Sequence, residues 1–462
     1  MYVEQFYETG LSHSSYLLGG ENQCAIIDPQ RDTEKYIKAA KAMGMKITHI
    51  IETHLHADFI SGHMDLAEKT GADIYAPKSA RCKYKHIALK EGDSFKIEHV
   101  KLDVLETPGH TPEHISYVVT DTSRGKSPAC LFCGDTLFVG DVGRPDLFPG
   151  RAEELAGKLF NSLKKLKKLP AHVEVFPAHG AGSLCGRAMG AKRRSTIGYE
   201  KKYNEPFKMK SKKQLITSLT TNMPPAPDHF SRCSEINRKG PKKLSKMKPL
   251  EKIAPAEFHK KSGSPGTVVL DGRDYDAFGG QHVPGSYHID CGGKFSTFSG
   301  WVIPPNKKIL LVAGSKEQAE TMALKLRRVG LDNIEGFLNG SLFEWSKNGL
   351  EAGHLRVVSA SEAYNMMNGK DSIVFVDVRA PDEFEDMHIK GTVNIPAPDL
   401  RTDYKKLSKK DTILLSCTTG HRSSLGASIL MQKGFENLFN VAGGINGLNE
   451  LGKNLKCKSC KK

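Results

Sequence analysis

The sequence predicts an α/β protein of several domains. Three observations carry that reading. The chain has 462 residues, which corresponds to roughly three domains of ~150 residues. Its first 205 or so residues alternate short β-branched runs with amphipathic stretches. Its second half contains an internal repeat with a strand–helix pattern and parallel sheets.

In the first region "QCAIIDP" (23–29), "ITHIIETH" (47–54), "VKLDVLETPGH" (100–110), "ISYVVTD" (115–121), "ACLFCGDTLF" (129–138) and "HVEVFPAHG" (172–180) read as strands. "TEKYIKAAKAMG" and "EELAGKLFNSLKKL" read as amphipathic helices, the first ended by Gly44. From Glu205 to Lys261 there are 14 Lys/Arg against 5 Asp/Glu, and the stretch reads as a solvated basic linker. The overall charge of +15 owes much to it. Nucleic-acid binding would call for arginines and aromatics on a folded face, so no nucleic-acid partner is expected.

The repeat then begins. "VVLDGRDYDAFGGQHVPGSYHI" (268–289) matches "IVFVDVRAPDEFEDMHIKGTVNI" (373–395), pairing Asp271/Arg273 with Asp377/Arg379. "ILLVAGSKEQAETMALKLRRVGLDN" (309–333) matches "ILLSCTTGHRSSLGASILMQKGFEN" (413–437). The expected domains are 1–245 with the basic linker at its end, 250–352, 355–455, and a tail, 456–462, holding Cys457 and Cys460. No apolar run reaches the ~18 residues that span a bilayer. "MYVEQFYETG" has neither a basic nor an apolar signal region, so a cytoplasmic, membrane-free protein is expected. The ten cysteines are scattered and should be reduced there. Cys130 and Cys133 lie three apart on one strand, so they should face opposite sides as core residues.

In the second repeat the strand "TILLS" runs into Cys417, Thr418, Thr419, Gly420, His421 and Arg422, and a helix follows at Ser423. Inward backbone N–H groups, the helix N-terminus and Arg422 should lower the thiol pKa and stabilise a thiolate or persulfide. Phosphate-handling cysteine loops need one residue more, because phosphate is larger than sulfur. The loop resembles that of the rhodaneses, a sulfurtransferase family, as do "DVR", "EF", "HIKGTVNIP" and Gly443-Gly444. The resemblance implies Cys417 and Arg422 as catalytic residues. In the first repeat Ala313 replaces the cysteine and Gln318 the arginine, so an inactive rhodanese-like domain is expected there.

The first region places His54, His56, Asp58, His110, Asp135 and His179 at predicted strand ends, in His-x-His-x-Asp, Pro-Gly-His, Gly-Asp and Ala-His-Gly contexts. Such a set points to a metal site. It resembles the metallo-β-lactamase superfamily, an αββα sandwich whose members often hold two zinc ions. Phe59 stands where that pattern carries another histidine, and phenylalanine cannot coordinate. One metal is then expected. Two histidines and one carboxylate on one face suit non-haem Fe(II), and His54, His110 and Asp135 supply them. His56, Asp58 and His179 become supporting groups or additional ligands. Zinc remains compatible.

"ETHLHADFISG", "TPGHTPEHISY", "GDTLFVGDVGRPDL" and "HGAGSLCGRAMG" with "STIGYEKKYN" are similar to persulfide dioxygenases. The whole order resembles the CstB-type persulfide dioxygenase–sulfurtransferases. That resemblance implies one Fe(II) per chain, oxidation of a low-molecular-weight persulfide by O₂ to sulfite and thiol, and sulfite/thiosulfate exchange at Cys417. The thiol could be glutathione, coenzyme A or another. Cys185, Arg144 and Tyr199 are candidate substrate-binding residues. A homo-oligomer is expected. The rival readings are a zinc-dependent glyoxalase-II-like thiolester hydrolase fused to a sulfurtransferase, and a non-catalytic sulfur carrier or sensor.

Overall fold

In the computed structural model, residues 1–221, 223–369 and 373–451 are described in full and 455–457 by backbone alone. They form two compact units, Met1–Lys248 with Arg327–Gly330, and Pro249–Leu326 with Leu331–Lys462. Among the described residues no helix is long and apolar enough to cross a membrane.

The first unit contains two six-stranded sheets. One runs Tyr2–Glu8, His13–Gly19, Gln23–Ile27, Lys46–Ile51, Asp73–Pro77, Ile87–Leu89. The other runs Ser195–Thr196, Glu174–Pro177, Cys130–Gly134, Ile115–Asp121, Val100–Glu106, Ser94–Ile97. Successive residues of a strand point to opposite faces. Leu18, Ile27 and Ile51 therefore meet Leu102, Tyr117 and Phe132 between the sheets. Their neighbours Leu17, Ile26 and Ile50 pack outward on Tyr36 and Ala40 of the helix Glu34–Ala42. On the far side Val118 and Leu131 pack on Leu159 and Leu163 of Ala152–Leu166. Strands buried on both faces read as unbroken apolar runs, which is why "CAII" and "HII" were legible. The result is an αββα sandwich. Cys130 joins the inner core and Cys133 the outer one, on opposite faces as their spacing requires.

The basic stretch is not a linker. It folds into the helices Glu205–Lys208, Lys212–Thr220 and His229–Lys239 within the first unit. Phe207, Leu215, Leu219, Phe230 and Cys233 are buried. The lysines occupy the outer faces, so charge counting conceals an amphipathic pattern.

The second unit carries two five-stranded sheets with parallel strand pairings and one shared order. In the first repeat this is Lys252–Ile253, Ile334–Leu338, Lys308–Val312, Thr267–Asp271, Tyr287–His288. In the second it is Arg356–Val358, Leu438–Val441, Thr412–Ser416, Ile373–Asp377, Val393–Asn394. Asp271–Arg273 and Asp377–Arg379 form the same ion pair, 2.6 and 2.7 Å, at the same strand end. Cys457 ends a strand, Leu455–Cys457, paired with Met387–Ile389, and Cys460 lies outside the described residues.

Candidate metal centre and sulfur-transfer loop

Four strand ends deliver the metal-site side chains. His54 follows Lys46–Ile51, His110 follows Val100–Glu106, Asp135 follows Cys130–Gly134, and His179 follows Glu174–Pro177. Asp28 shapes the first of these loops by accepting from Thr53 N at 2.8 Å and Thr53 Oγ1 at 2.9 Å. With its proton given to Asp28, Thr53 Oγ1 can only accept from His54 Nδ1, 2.8 Å away. His110 Nδ1 donates to the Arg144 carbonyl at 2.9 Å. Both rings therefore carry their proton on Nδ1 and turn a bare Nε2 inward.

Those two Nε2 atoms are buried and have no hydrogen-bond partner among the described residues. They lie 3.8 Å (His54) and 3.3 Å (His110) from Asp135 Oδ2. Burial, reinforced by neighbouring imidazoles, pushes His54 well below the ordinary histidine value. Burial also lowers His110, against the pull of Asp135. Neutral rings have lone pairs to offer. Asp135 is held far below the usual carboxylate range, because His179 and His110 outweigh its burial. Orphaned polar atoms of this kind are costly unless something fills the gap. Two imidazoles and a carboxylate fit a divalent metal ion.

The other half of the cluster is differently employed. His179 Nδ1 donates to Asp135 Oδ1 and Oδ2 at 2.8 and 2.9 Å, and its Nε2 lies 2.8 Å from Asp58 Oδ2. Burial opposes a charge there, yet the two carboxylates raise His179 well above the ordinary value. Phe59 is fully buried, its ring centroid 4.2 Å from His13 and 4.4 Å from His56. Asp58, His179 and Cys185 also lie close enough to hold an ion, but Phe59 puts carbon where the two-metal pattern has another histidine. His56 Nε2 lies 3.2 Å from Asp28 Oδ1 and 3.9 Å from Glu52 Oε2, and its ring centroid is 4.2 Å from that of His54. Asp28 and Glu52 raise its pKa in spite of burial.

The substrate candidates separate. Cys185 is buried beside Asp58 and His179, and burial, with the carboxylates of Asp58 and Asp135, raises its thiol well above the ordinary value. Arg144 is buried, and its guanidinium binds Asp146 at 2.7 Å and the carbonyls of Leu184 and Pro224 at 3.0 and 2.6 Å. Its placement makes it a brace for the loop whose carbonyl holds His110. Tyr199 lies on the surface, 38% exposed, against Tyr203 and Lys192.

Three contributors escaped the sequence reading. His114 Nε2 accepts from Asp135 N at 3.0 Å, and its ring stacks on His54 at 4.8 Å. Burial lowers its pKa to about 3. Gly134 sits at φ +48°, and a Cβ there would meet His114 Nε2 at 2.4 Å, so only glycine allows this approach. Asp28 is the second. The third, Asn237, donates to the carbonyls of His56 and Phe59 at 2.9 and 2.8 Å and accepts from Ser61 N at 2.9 Å. The i, i+3, i+7 spacing of Phe230, Cys233 and Asn237 was the available signal.

In the second unit Cys417 directly follows the strand Thr412–Ser416, and the helix His421–Gln432 starts four residues on. Its Sγ accepts from Gly420 N at 3.1 Å and lies 3.5 Å from Ser423 Oγ. Gly420, at φ +108°, gives the loop its curl. Arg422 pairs with Glu383 at 2.5 and 2.8 Å and donates to Thr418 Oγ1 at 2.7 Å, so its charge is largely answered by a carboxylate. His421 reaches Asp290 at 3.1 Å. Thr419 fills out the loop between them. In the first repeat Gln318 accepts from Gly314 N at 2.6 Å and donates to the Gly272 carbonyl at 3.1 Å, closing the equivalent loop on itself.

The family profile described as metallo-beta-lactamase superfamily matches residues 9–179. That of the rhodanese-like domain matches 254–348 and 359–451. Hydroxyacylglutathione hydrolase of Rhodospirillum rubrum is 40% identical over 158 residues, 34% of this chain. The chain spans only 57% of that relative's length. The crystal structure of a metallo-beta-lactamase from Staphylococcus aureus subsp. aureus COL is 35% identical, covers 73% of this chain and 98% of its own, and superposes with a TM-score of 0.65. That of ETHE1 from Myxococcus xanthus is 27% identical, covers 52% of this chain and 98% of its own, with a TM-score of 0.45. The chain belongs to the metallo-beta-lactamase superfamily, with two rhodanese-like domains following that fold.

Proposed function

We propose that the first unit is a persulfide dioxygenase with one Fe(II) at His54, His110 and Asp135, and that Cys417 transfers the sulfur it works on. One observation carries the reading. His54 and His110 turn bare Nε2 atoms toward Asp135 Oδ2, whereas His179 Nδ1 is hydrogen-bonded to Asp135, its Nε2 faces Asp58, and Phe59 offers no ligand atom beside them.

His54, His110 and Asp135 would hold the Fe(II), which when bound would supply O₂ activation. The chain's own residues do the rest. Thr53 and the Arg144 carbonyl fix the two imidazole tautomers. His179 orients Asp135 and shares its charge. The overall reaction balances as R–SSH + O₂ + H₂O giving R–SH and sulfurous acid, which ionises to sulfite. At the second site a sulfane sulfur carried on Cys417 passes to sulfite. The Cys417 S–S bond breaks, a sulfur–sulfur bond forms to sulfite, and thiosulfate leaves the thiolate behind. The reverse exchange uses the same atoms.

A second reading, zinc-dependent thiolester hydrolysis, is favoured by the likeness to hydroxyacylglutathione hydrolases. Phe59 and the engaged His179 weigh against a two-metal version of it. Variants divide the readings. His110→Ala or Asp135→Ala should abolish persulfide-dependent oxygen uptake and leave thiosulfate:cyanide sulfurtransfer intact. Cys417→Ser should do the reverse. Oxygen uptake that survives His110→Ala and Asp135→Ala would overturn the proposal.

A further inference from the structure

The first unit is not drawn from one continuous stretch of chain. It takes in Arg327–Gly330, four residues from inside the segment 254–348 that matches the rhodanese-like profile. Carbonyls of this turn accept hydrogen bonds from three points of the unit. Arg31 Nη1 reaches the Arg327 carbonyl at 2.6 Å, Ile60 N the Arg328 carbonyl at 2.6 Å, and Arg232 Nη2 the Val329 carbonyl at 3.0 Å. Gly330 closes the turn at φ +72°, where a Cβ would come within 2.9 Å of Ile236 Cδ1 and 3.5 Å of Ile60 Cδ1. Conformation and space alike call for glycine there. Ile60 directly follows Phe59, so the turn is tied to the loop that carries His54, His56 and Asp58.

The side chain of Arg328 makes a second tie. It is buried, and its guanidinium spans two carboxylates. Nη1 lies 2.8 Å from Glu8 Oε2, at the end of the strand Tyr2–Glu8. Nε and Nη2 hold the two oxygens of Asp32 at 3.1 and 3.0 Å. A bidentate pair fixes the direction of its partner as well as the distance. Asp32 ends a short stretch, 28–32, that lies against the metal loop. The Pro29 carbonyl accepts from Gly62 N at 2.7 Å, and Gln30 forms a backbone bridge with Ser61. The Gln30 amide lies 2.8 Å from Nδ1 of His13, whose ring packs on Phe59. Asp28 heads the stretch in the left-handed region, at φ +51°. A residue other than glycine persists there where its surroundings over-determine it. Its carboxylate is the one that binds Thr53 and so sets the His54 tautomer.

We infer that Arg328 is a positioning residue of the metal centre, supplied to the first unit by the cysteine-free repeat. Its side chain fixes the 28–32 stretch through Asp32, and its carbonyl fixes the end of the metal loop through Ile60. Asp28 then meets Thr53 at a set place, and Thr53 aims His54 Nε2 toward the point it shares with His110 and Asp135. The inference rests on those three residues being the iron ligands. It goes beyond that reading by giving the blank repeat a part in it. A rhodanese-like copy without a cysteine contributes the four residues that complete the support of the metal loop.

The test uses full-length, iron-loaded protein and two readouts. One is the rate at which a ferrous chelator captures the iron. The other is the electron paramagnetic resonance spectrum of the nitric oxide adduct. Arg328→Ala and Asp32→Asn should each release iron about tenfold faster, the low end of the ~10–100-fold that outer partners of metal ligands command. Both should also change the rhombicity of the nitric oxide spectrum, which a mere loss of stability does not move. Glu8→Gln removes only the strand-side partner and should leave release and spectrum as in the wild type. Arg328→Lys keeps a cation beside Asp32 and should recover part of the retention. Wild-type release and spectra in both Arg328→Ala and Asp32→Asn would overturn the inference and leave the dioxygenase reading in place. Equal iron loss in Glu8→Gln would overturn it too, by making the arginine a general brace. If the wild type held iron yet took up no oxygen with glutathione persulfide, the dioxygenase reading would fall, and the release rates would still decide the role of Arg328.

Discussion

At the scale of single residues, Phe59 and Glu383 carry the most information. Phe59 has the right place for a ligand and the wrong chemistry. The structure shows it closing the space between the rings of His13 and His56. That role was half visible in the sequence, because the missing nitrogen is a matter of residue type, whereas the contacts are tertiary. His114 and Asp28 were less visible. Each acts through one hydrogen-bonding edge at a strand end, with no spacing to mark it. Glu383 offers a pH test. Burial alone would raise its pKa, but its hydrogen bonds and ion pair with Arg422 bring it below the ordinary glutamate value. A carboxyl depressed by folding stabilises the native state fully above its unfolded pKa, ~4.3, and loses that contribution as pH falls through the folded value. The unfolding midpoint of wild type should exceed that of Glu383→Gln at pH 6. The gap should close as pH drops below about 4. A gap that stays constant or widens toward low pH would contradict the pairing.

At the scale of elements, the sheets were legible and the helices after residue 205 were not. Strands buried on both faces write themselves as "CAII" and "YVV". A helix that buries one narrow face and exposes its charged residues looks like a solvated tail to any count of charge. The consequence is functional, since His229–Lys239 brings Asn237 to the back of the His-x-His-x-Asp loop. Removing Asn237 leaves two buried carbonyls and one N–H without their partner. Each unsatisfied group costs ~1–3 kcal/mol, with partial relief from relaxation. Asn237→Ala should therefore destabilise the first unit by roughly 2–4 kcal/mol and weaken metal retention. Urea unfolding with parallel metal analysis checks both. An unaltered midpoint and full metal content would show that the helix merely covers the loop.

At the scale of the whole molecule, the duplication was legible because strand ends, turn glycines and the Asp–Arg pairs recur at nearly constant offsets. What the repeat comparison left open was the purpose of the blank copy. On the proposed function, oxidation belongs to the first unit and sulfur transfer to the second, the sulfur species of one serving as reactants of the other. Its centre is the mononuclear site. The most direct measurement is metal content together with oxygen consumption on glutathione persulfide, by the intact protein before and after chelation. The account predicts about one iron per chain, oxygen uptake only when persulfide is present, and loss of that uptake with the metal. An iron-loaded protein that consumes no oxygen with persulfide, or a zinc form that hydrolyses acyl-glutathione without oxygen, would contradict it.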